Sequence, residues 1–328
     1  MPDAPIIDVH SHAVALKAFA RRHAAGVVDG VARDWTRDWT PANTVAMMDR
    51  HGIGEGVLSP IPMSFDTIEP EEARDQARST NEELASIVAG SKRFGAFGVL
   101  PMLRVEDAIA EADHVLNVLK LDGVCMATNV GGVYPGNPRF QTLFDALNQQ
   151  KAVIFIHPTT PNVFNDISLG IDGATLEFMF DSTRMITSLV YNGVIRRCPA
   201  MRIISTHGGG ALPYVAARIA THAETRNAGR IPPMSSADVM ADLRSFYFDL
   251  TAAMNAPALA AILELVPKSQ LLAGFDYPIR PERLFEADLK ELSSFHGLDA
   301  DDLQAIRRDN ALALFPRFAT AQVGPLQA

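Results

Sequence analysis

Four imidazoles and one carboxylate define the chemistry open to this chain. His10 and His12 stand two residues apart in Asp8-Val9-His10-Ser11-His12, and His157 follows Val153-Ile154-Phe155-Ile156. His207 follows the run from Arg202 to Thr206, and Asp276 follows Leu271-Leu272-Ala273-Gly274-Phe275. Imidazole nitrogens and a carboxylate oxygen are donors for a divalent ion. Three imidazoles with one carboxylate suit zinc, with manganese or iron(II) open if the coordination number exceeds four. His10, His12, His157 and Asp276 are expected to hold one ion. His207 lies in Ser205-Thr206-His207-Gly208-Gly209-Gly210, where the glycines clear space beside an imidazole that orients water or donates a proton. The spacing and following lysine of a phosphate-binding P-loop are absent there.

A histidine at the end of an apolar run is, by itself, usually a hydrogen-bonded structural residue. Here four of nine histidines and an aspartate end such runs, whereas His23, His51, His114, His222 and His296 fall in helical or loop stretches. Position, rather than composition, singles out the five.

Such groups meet only if the ends of their strands converge, as they do at the mouth of a (β/α)8 TIM barrel. Eight runs alternate with helical patterns: Ile6 to Val9, Gly56 to Ser59, Phe94 to Leu100, Gly123 to Thr128, Val153 to Ile156, Arg202 to Thr206, Phe246 to Leu250 and Leu271 to Gly274. Consecutive apolar residues within them fit strands covered on both faces. Thr40-Pro41 reads as a helix start, and further helices are expected over 71–90, 105–120, 138–150, 174–197, 213–225, 256–266 and 282–295. Two stretches exceed a minimal βα unit. Residues 13–40, with the tandem Arg33-Asp34-Trp35-Thr36 and Arg37-Asp38-Trp39-Thr40, read as a lid-like insertion after strand one, where Trp35 and Trp39 could flank an aromatic ring or simply pack the lid. Residues 223–242 read as a polar excursion before strand seven. No domain boundary or long-period repeat interrupts residues 1–328, so one catalytic domain is expected.

The bounds agree. A length of 328 residues fits one barrel with insertions, and 48% hydrophobic against 20% charged residues can build a large core. A net charge of −9 argues against a nucleic-acid surface. Cys125 and Cys198 form no paired pattern, the first residues lack a leader-like apolar region, and no run approaches membrane-spanning length. A cytoplasmic protein acting on a small molecule is expected, without nucleic acid or membrane as partner.

With these residues in hand, the chain resembles the amidohydrolase superfamily. Within it, the decarboxylase branch is closest, the branch that includes 2-amino-3-carboxymuconate-6-semialdehyde decarboxylase and the salicylate-type decarboxylases. The resemblance rests on Ile7-Asp8-Val9-His10-Ser11-His12, Met48-Asp49-Arg50-His51-Gly52-Ile53, Phe155-Ile156-His157-Pro158-Thr159, Thr206-His207-Gly208-Gly209-Gly210-Ala211-Leu212-Pro213-Tyr214 and Phe275-Asp276-Tyr277-Pro278. Thr128-Asn129-Val130-Gly131-Gly132-Val133-Tyr134 and Phe178-Met179-Phe180-Asp181-Ser182-Thr183-Arg184 look closest to 6-methylsalicylate decarboxylase-like members.

The resemblance implies that His10, His12, His157 and Asp276 ligate one metal, zinc foremost and manganese as the alternative, with His207 and Asp276 catalytic. Binuclear relatives need a carboxylated lysine ending strand four; here that strand ends Cys125-Met126-Ala127-Thr128, and Lys120 and Lys151 precede their strands. The resemblance also implies that Arg218 pairs with a substrate carboxylate or a neighbouring subunit in a dimer; Phe180 and Trp39 are the aromatic candidates for substrate contact. Arg184 reads as structural. Phe275, where relatives carry a small residue, and Ser59-Pro60-Ile61-Pro62-Met63-Ser64 depart from the pattern and could reshape the pocket. The implied activity is non-oxidative decarboxylation of an aromatic or unsaturated hydroxy carboxylic acid. The same metal could instead activate water for hydrolysis of an amide, ester or lactone, or for hydration.

Overall fold

A computed structural model describes residues 4–14, 16–17, 39–61, 65–226 and 233–319. Eight parallel strands pair in sequence order: β1 (Ile6–Ala13), β2 (Ile53–Pro60), β3 (Phe94–Val99), β4 (Gly123–Ala127), β5 (Val153–His157), β6 (Arg202–Ser205), β7 (Tyr247–Asp249) and β8 (Leu271–Leu272). The chain is a (β/α)8 barrel. Strand β8 is short, so backbone beyond it completes the seam with β1: Val9 N–H donates to Ala273 O at 3.0 Å, Asp276 N–H to His10 O at 2.7 Å and His12 N–H to Tyr277 O at 2.6 Å. That seam places Asp276 against both histidines of β1.

The main outer helices are α1 (Pro41–Arg50), α2 (Pro70–Gly90), α3 (Val105–Asp113), α4 (Gln141–Gln149), α5 (Gly173–Tyr191), α6 (Leu212–Thr225), α7 (Ser236–Leu243), α8 (Ala256–Leu265) and α9 (Phe285–Ser294). Thr40 caps α1 through its Oγ1, which accepts from Asn43 N–H at 3.1 Å, with Pro41 in the first turn. The helix expected over 174–197 breaks: Gly193 takes φ +68° and only Val194–Arg197 resumes the helix. The polar stretch 223–242 contains α7, started by a reciprocal capping box between Ser235 and Asp238. Trp35 and most of the 13–40 insertion lie outside the described residues.

Two apolar layers result. One joins the outer faces of the strands to the helices. The other fills the barrel with Ile7, Val9, Val57, Phe97, Cys125, Phe155 and Ile204, and is sealed below by Phe315 and Phe318. Phe97 and Phe155 stack with ring centroids 5.0 Å apart, and Phe155 meets His10 edge-on at 5.1 Å. Aromatic packing is thus the floor on which the histidines stand.

Register explains how β1 serves both layers. Asp8 pairs with Gly56 and Ser11 with Leu58, so β1 carries one residue more than β2 across that interval. A bulge of this kind shifts the alternation of side chains by one. Ile7 and Val9 face the barrel interior below it, and His10 and His12 face the same interior above it.

Candidate metal centre

The structure brings His10, His12, His157 and Asp276 together: one donor atom from each lies within 4.8 Å of all the others. His10 and His12 have Nε2 atoms 3.2 Å apart, and Asp276 Oδ1 lies 3.0 Å from His12 Nε2 and 3.5 Å from His10 Nε2. The far nitrogen of each ring is already engaged. His10 Nδ1 meets Asp249 Oδ2 at 3.0 Å, His12 Nδ1 meets Ser59 Oγ at 3.0 Å, and His157 Nδ1 meets the Pro158 carbonyl at 2.9 Å. Holding Nδ1 leaves Nε2 as the inward donor, the arrangement that orients imidazole ligands around a metal.

A cation fits these donors. Asp276 Oδ1 is buried without a hydrogen-bond partner among the described residues. Unprotonated Nε2 and carboxylate lone pairs at such distances repel unless positive charge lies among them. In the metal-free chain a proton on His10 takes that role: burial opposes it, yet Asp249 and Asp276 raise His10 from 6.5 to about 9. Burial lowers His12, and burial together with the charges of His12, His10 and His207 lowers His157 well below its ordinary value. Asp276 is held well below the usual carboxylate range, burial being overcome by the charge of His10 and by the neighbouring His12 and His207 imidazoles. Burial pushes Asp8, behind the site, up to about 7; its Oδ1 accepts from the N–H groups of His10 and Phe275.

His207 stands beside the donors. Its Nε2 is 3.9 Å from Asp276 Oδ2, and its Nδ1 has no partner among the described residues. His207 and Asp276 both adopt left-handed backbone, φ +55° and +62°, which non-glycine residues enter only when their surroundings hold them there. The three glycines serve backbone approach rather than open space for substrate. Gly210, at φ +67°, comes so close to the Met179 carbonyl that a Cβ would collide with it, and a Cβ on Gly209 would lie 2.8 Å from the Phe248 ring.

The expected substrate contacts are more dispersed. Arg218 is exposed on the outer side of α6, and no lysine or arginine side chain joins the hydrogen bonds of the centre among the described residues. Phe180 is 42% exposed. The ring that reaches the centre is Phe178, whose centroid is 5.9 Å from that of His157. Two residues on one helix cannot both face the mouth at that spacing. Trp39 is packed in the layer between strands and helices. Phe275 does not reshape the pocket: it points outward and packs on Phe285 at 5.0 Å. Of the departing loop after β2, Ser59 holds His12, and residues 62–64 lie outside the described set.

Sequence reasoning missed Asp249. It sits at the end of β7, fully buried, and its Oδ1 accepts from the backbone N–H of His207 at 3.1 Å and of Thr251 at 3.0 Å. An acid inside the apolar run Phe246 to Leu250 was the available signal.

A sequence model of a family described as amidohydrolase matches residues 7–317. The chain is 30% identical to decarboxylase yanB of Aspergillus niger, over 95% of this chain and 88% of that one. It is equally 30% identical to the 6-methylsalicylic acid decarboxylase of Penicillium expansum, over 95% and 96%. Among solved structures, 5-carboxyvanillate decarboxylase of Novosphingobium aromaticivorans, complexed with manganese and 4-hydroxy-3-methoxy-5-nitrobenzoic acid, superposes with a TM-score of 0.82 at 19% identity, covering 95% of this chain and 96% of that one.

Proposed function

The chain belongs to the amidohydrolase family, and from that premise we propose that residues 1–328 act as one carboxy-lyase, a metal-dependent, non-oxidative decarboxylase of an aromatic or unsaturated hydroxy carboxylic acid. The observation that carries this reading is a single-ion donor set in a chain whose full-length relatives are named decarboxylases. Strand β4 ends in Ala127, with Thr128 next, so no lysine stands there to bridge a second ion. A divalent ion held by His10, His12, His157 and Asp276 supplies positive charge for the substrate's carboxylate or adjacent hydroxyl oxygen. Zinc suits three imidazoles and a carboxylate, and manganese is the alternative.

The bond between the carbon skeleton and the carboxylate breaks, its electron pair stays on carbon, that carbon takes a proton, and carbon dioxide leaves. No redox cofactor enters. Neighbouring imidazoles keep Asp276 ionised, so it carries no proton to give. His207, with an unengaged Nδ1 and its Nε2 facing Asp276, is the better source of the proton, directly or through water. Arg218 supplies a cation for the substrate carboxylate. Its outward placement on α6, one turn from the 90% exposed Tyr214, fits service across a homodimer interface to which Phe180 also contributes. Two free, buried cysteines fit a reducing, cytoplasmic setting, and no helix of the described residues is long and apolar enough to cross a membrane.

The test is product analysis. Metal-loaded protein given 6-methylsalicylate should release carbon dioxide and 3-methylphenol in equal amounts, with one solvent deuteron on the ring when the reaction runs in D2O. Turnover of carboxylic acids, amides or lactones with solvent oxygen incorporated and no gas released would move the activity to hydrolysis or hydration.

A further inference from the structure

Two segments far apart in sequence, 128–134 after β4 and 178–184 on α5, converge on one carboxylate. Asp181 is fully buried, and all three of its close side-chain partners come from the β4 segment. Thr128 Oγ1–H donates to Oδ2, Asn129 Nδ2–H donates to Oδ2 at 2.9 Å, and Tyr134 O–H donates to Oδ1 at 2.6 Å. Burial, reinforced by Asp181, raises the Tyr134 phenol above its ordinary value and keeps it a donor. Arg184, at 4.0 Å, adds charge from the half-exposed side.

The cluster continues into the metal centre through Thr128. Its Oγ1 accepts Thr159 N–H at 3.0 Å, and its own N–H donates to His157 O at 3.0 Å. Between those two anchors lies Pro158, whose carbonyl fixes His157 Nδ1. One turn before Asp181, Phe178 sets its ring edge-on to His157. Beside its edge-on contacts with His10, His12 and His207, the His157 imidazole is thus held from two further sides, by the Pro158 carbonyl in the turn anchored on Thr128 and by the Phe178 ring of α5.

We propose that Asp181 is a positioning residue for the metal centre, acting through Thr128 to fix the orientation of His157. The inference rests on the metal site of the preceding section and not on the reaction assigned to it. A hydroxyl at position 128 that both accepts from Thr159 and donates to a buried carboxylate cannot be replaced by an alkyl group without loosening the turn that aims His157. Serine keeps both bonds.

The experiment compares wild type with Asp181→Asn, Thr128→Val and Thr128→Ser, each verified as folded by circular dichroism at the assay temperature. Zinc affinity is read by chelator competition, and ligand geometry by the visible absorption of the cobalt(II)-substituted protein. Asp181→Asn and Thr128→Val should weaken zinc at least about tenfold, the scale for groups that orient metal ligands, and should alter the cobalt spectrum, while Thr128→Ser matches wild type. Wild-type affinity and spectrum in both Asp181→Asn and Thr128→Val, even with a lowered Tm, overturns the proposal, as does equal loss in Thr128→Ser. If Asp181→Asn does not fold, Thr128→Val against Thr128→Ser decides. Wild-type protein that binds zinc but decarboxylates no aromatic or unsaturated acid would end the decarboxylase reading and leave this comparison valid.

Discussion

Asp249 Oδ2 lies 3.0 Å from His10 Nδ1, both groups fully buried, and the same carboxylate accepts the backbone N–H of His207 through its other oxygen. One acid at the end of β7 therefore fixes a metal ligand and the proposed proton donor together. It also keeps its own charge: burial raises its proton affinity, but His10 more than offsets this.

Replacing Asp249 by Asn keeps the size of the side chain and removes the charge that favours an Nδ1–H tautomer. Zinc affinity of Asp249→Asn should fall about 10- to 100-fold, and turnover should fall further because a single amide oxygen cannot accept from both His10 Nδ1 and the His207 backbone N–H. Chelator competition and single-turnover rates measure the two effects separately. Unchanged affinity would show that the strand alone orients His10.

Metal stoichiometry tests the donor set. Protein purified without added metal should hold close to one divalent ion per chain. His10→Ala and Asp276→Ala should lose most of it, and His207→Ala should retain it. Two tightly bound equivalents in wild type would contradict a mononuclear site.

The pH dependence of metal binding follows from His10. In the metal-free chain its pKa is raised from 6.5 to about 9, so at neutral pH the ion must displace a proton. Apparent affinity should therefore rise with pH, by roughly tenfold per unit for one displaced proton, and level off near pH 9. Calorimetry in buffers of different ionisation enthalpy should register the released proton at pH 7. A flat affinity between pH 7 and 9 would place no proton on His10.

The ligands were legible in the sequence because each stands where a barrel strand delivers its side chains to the mouth. What surrounds them was not. Strict alternation along Ile7 to His12 sets Ile7 and Val9 on the face opposite His10, and only the bulge against β2 reconciles barrel packing with ligation. Asp249 and Asp181 look like ordinary acids in an apolar strand and a helix until pairing brings them against His10 and Thr128. That Phe178 is the ring of α5 turned toward His157 was hidden for a related reason. The rotation of α5 is set by its contact with the Ala211 turn, where Ala211 N–H donates to Met179 O at 3.2 Å, and no feature within α5 itself encodes that contact.

His207→Asn should reduce turnover by at least about 10²-fold, the scale for a lost general acid, while zinc content and fold remain. Solvent deuterium incorporation into residual product should slow in step. Activity equal to wild type would remove His207 from proton transfer and leave Asp276 or bound water as the source.

The last expectation concerns Arg218, which is exposed on α6, opposite the buried Ala216 and Ala220. A guanidinium pairs with a carboxylate through two parallel hydrogen bonds, a geometry an ammonium cannot reproduce, so Arg218→Lys tests recognition while preserving charge. Because the pairing exists before and during bond cleavage, the loss should fall mainly on KM rather than kcat. Service across a dimer adds a second signature. A mixed dimer of Arg218→Ala and His207→Asn chains should regain activity that neither homodimer shows, since one of its two sites would combine an intact His207 with an intact Arg218. If the variants at 218 leave kcat/KM unchanged, Arg218 is a solvated surface residue, whereas impaired variants that mixing does not restore would remove its service across a dimer. Carboxylate recognition must then come from the 13–40 insertion, whose Arg33 and Arg37 carry the remaining cations of that segment's tandem repeat.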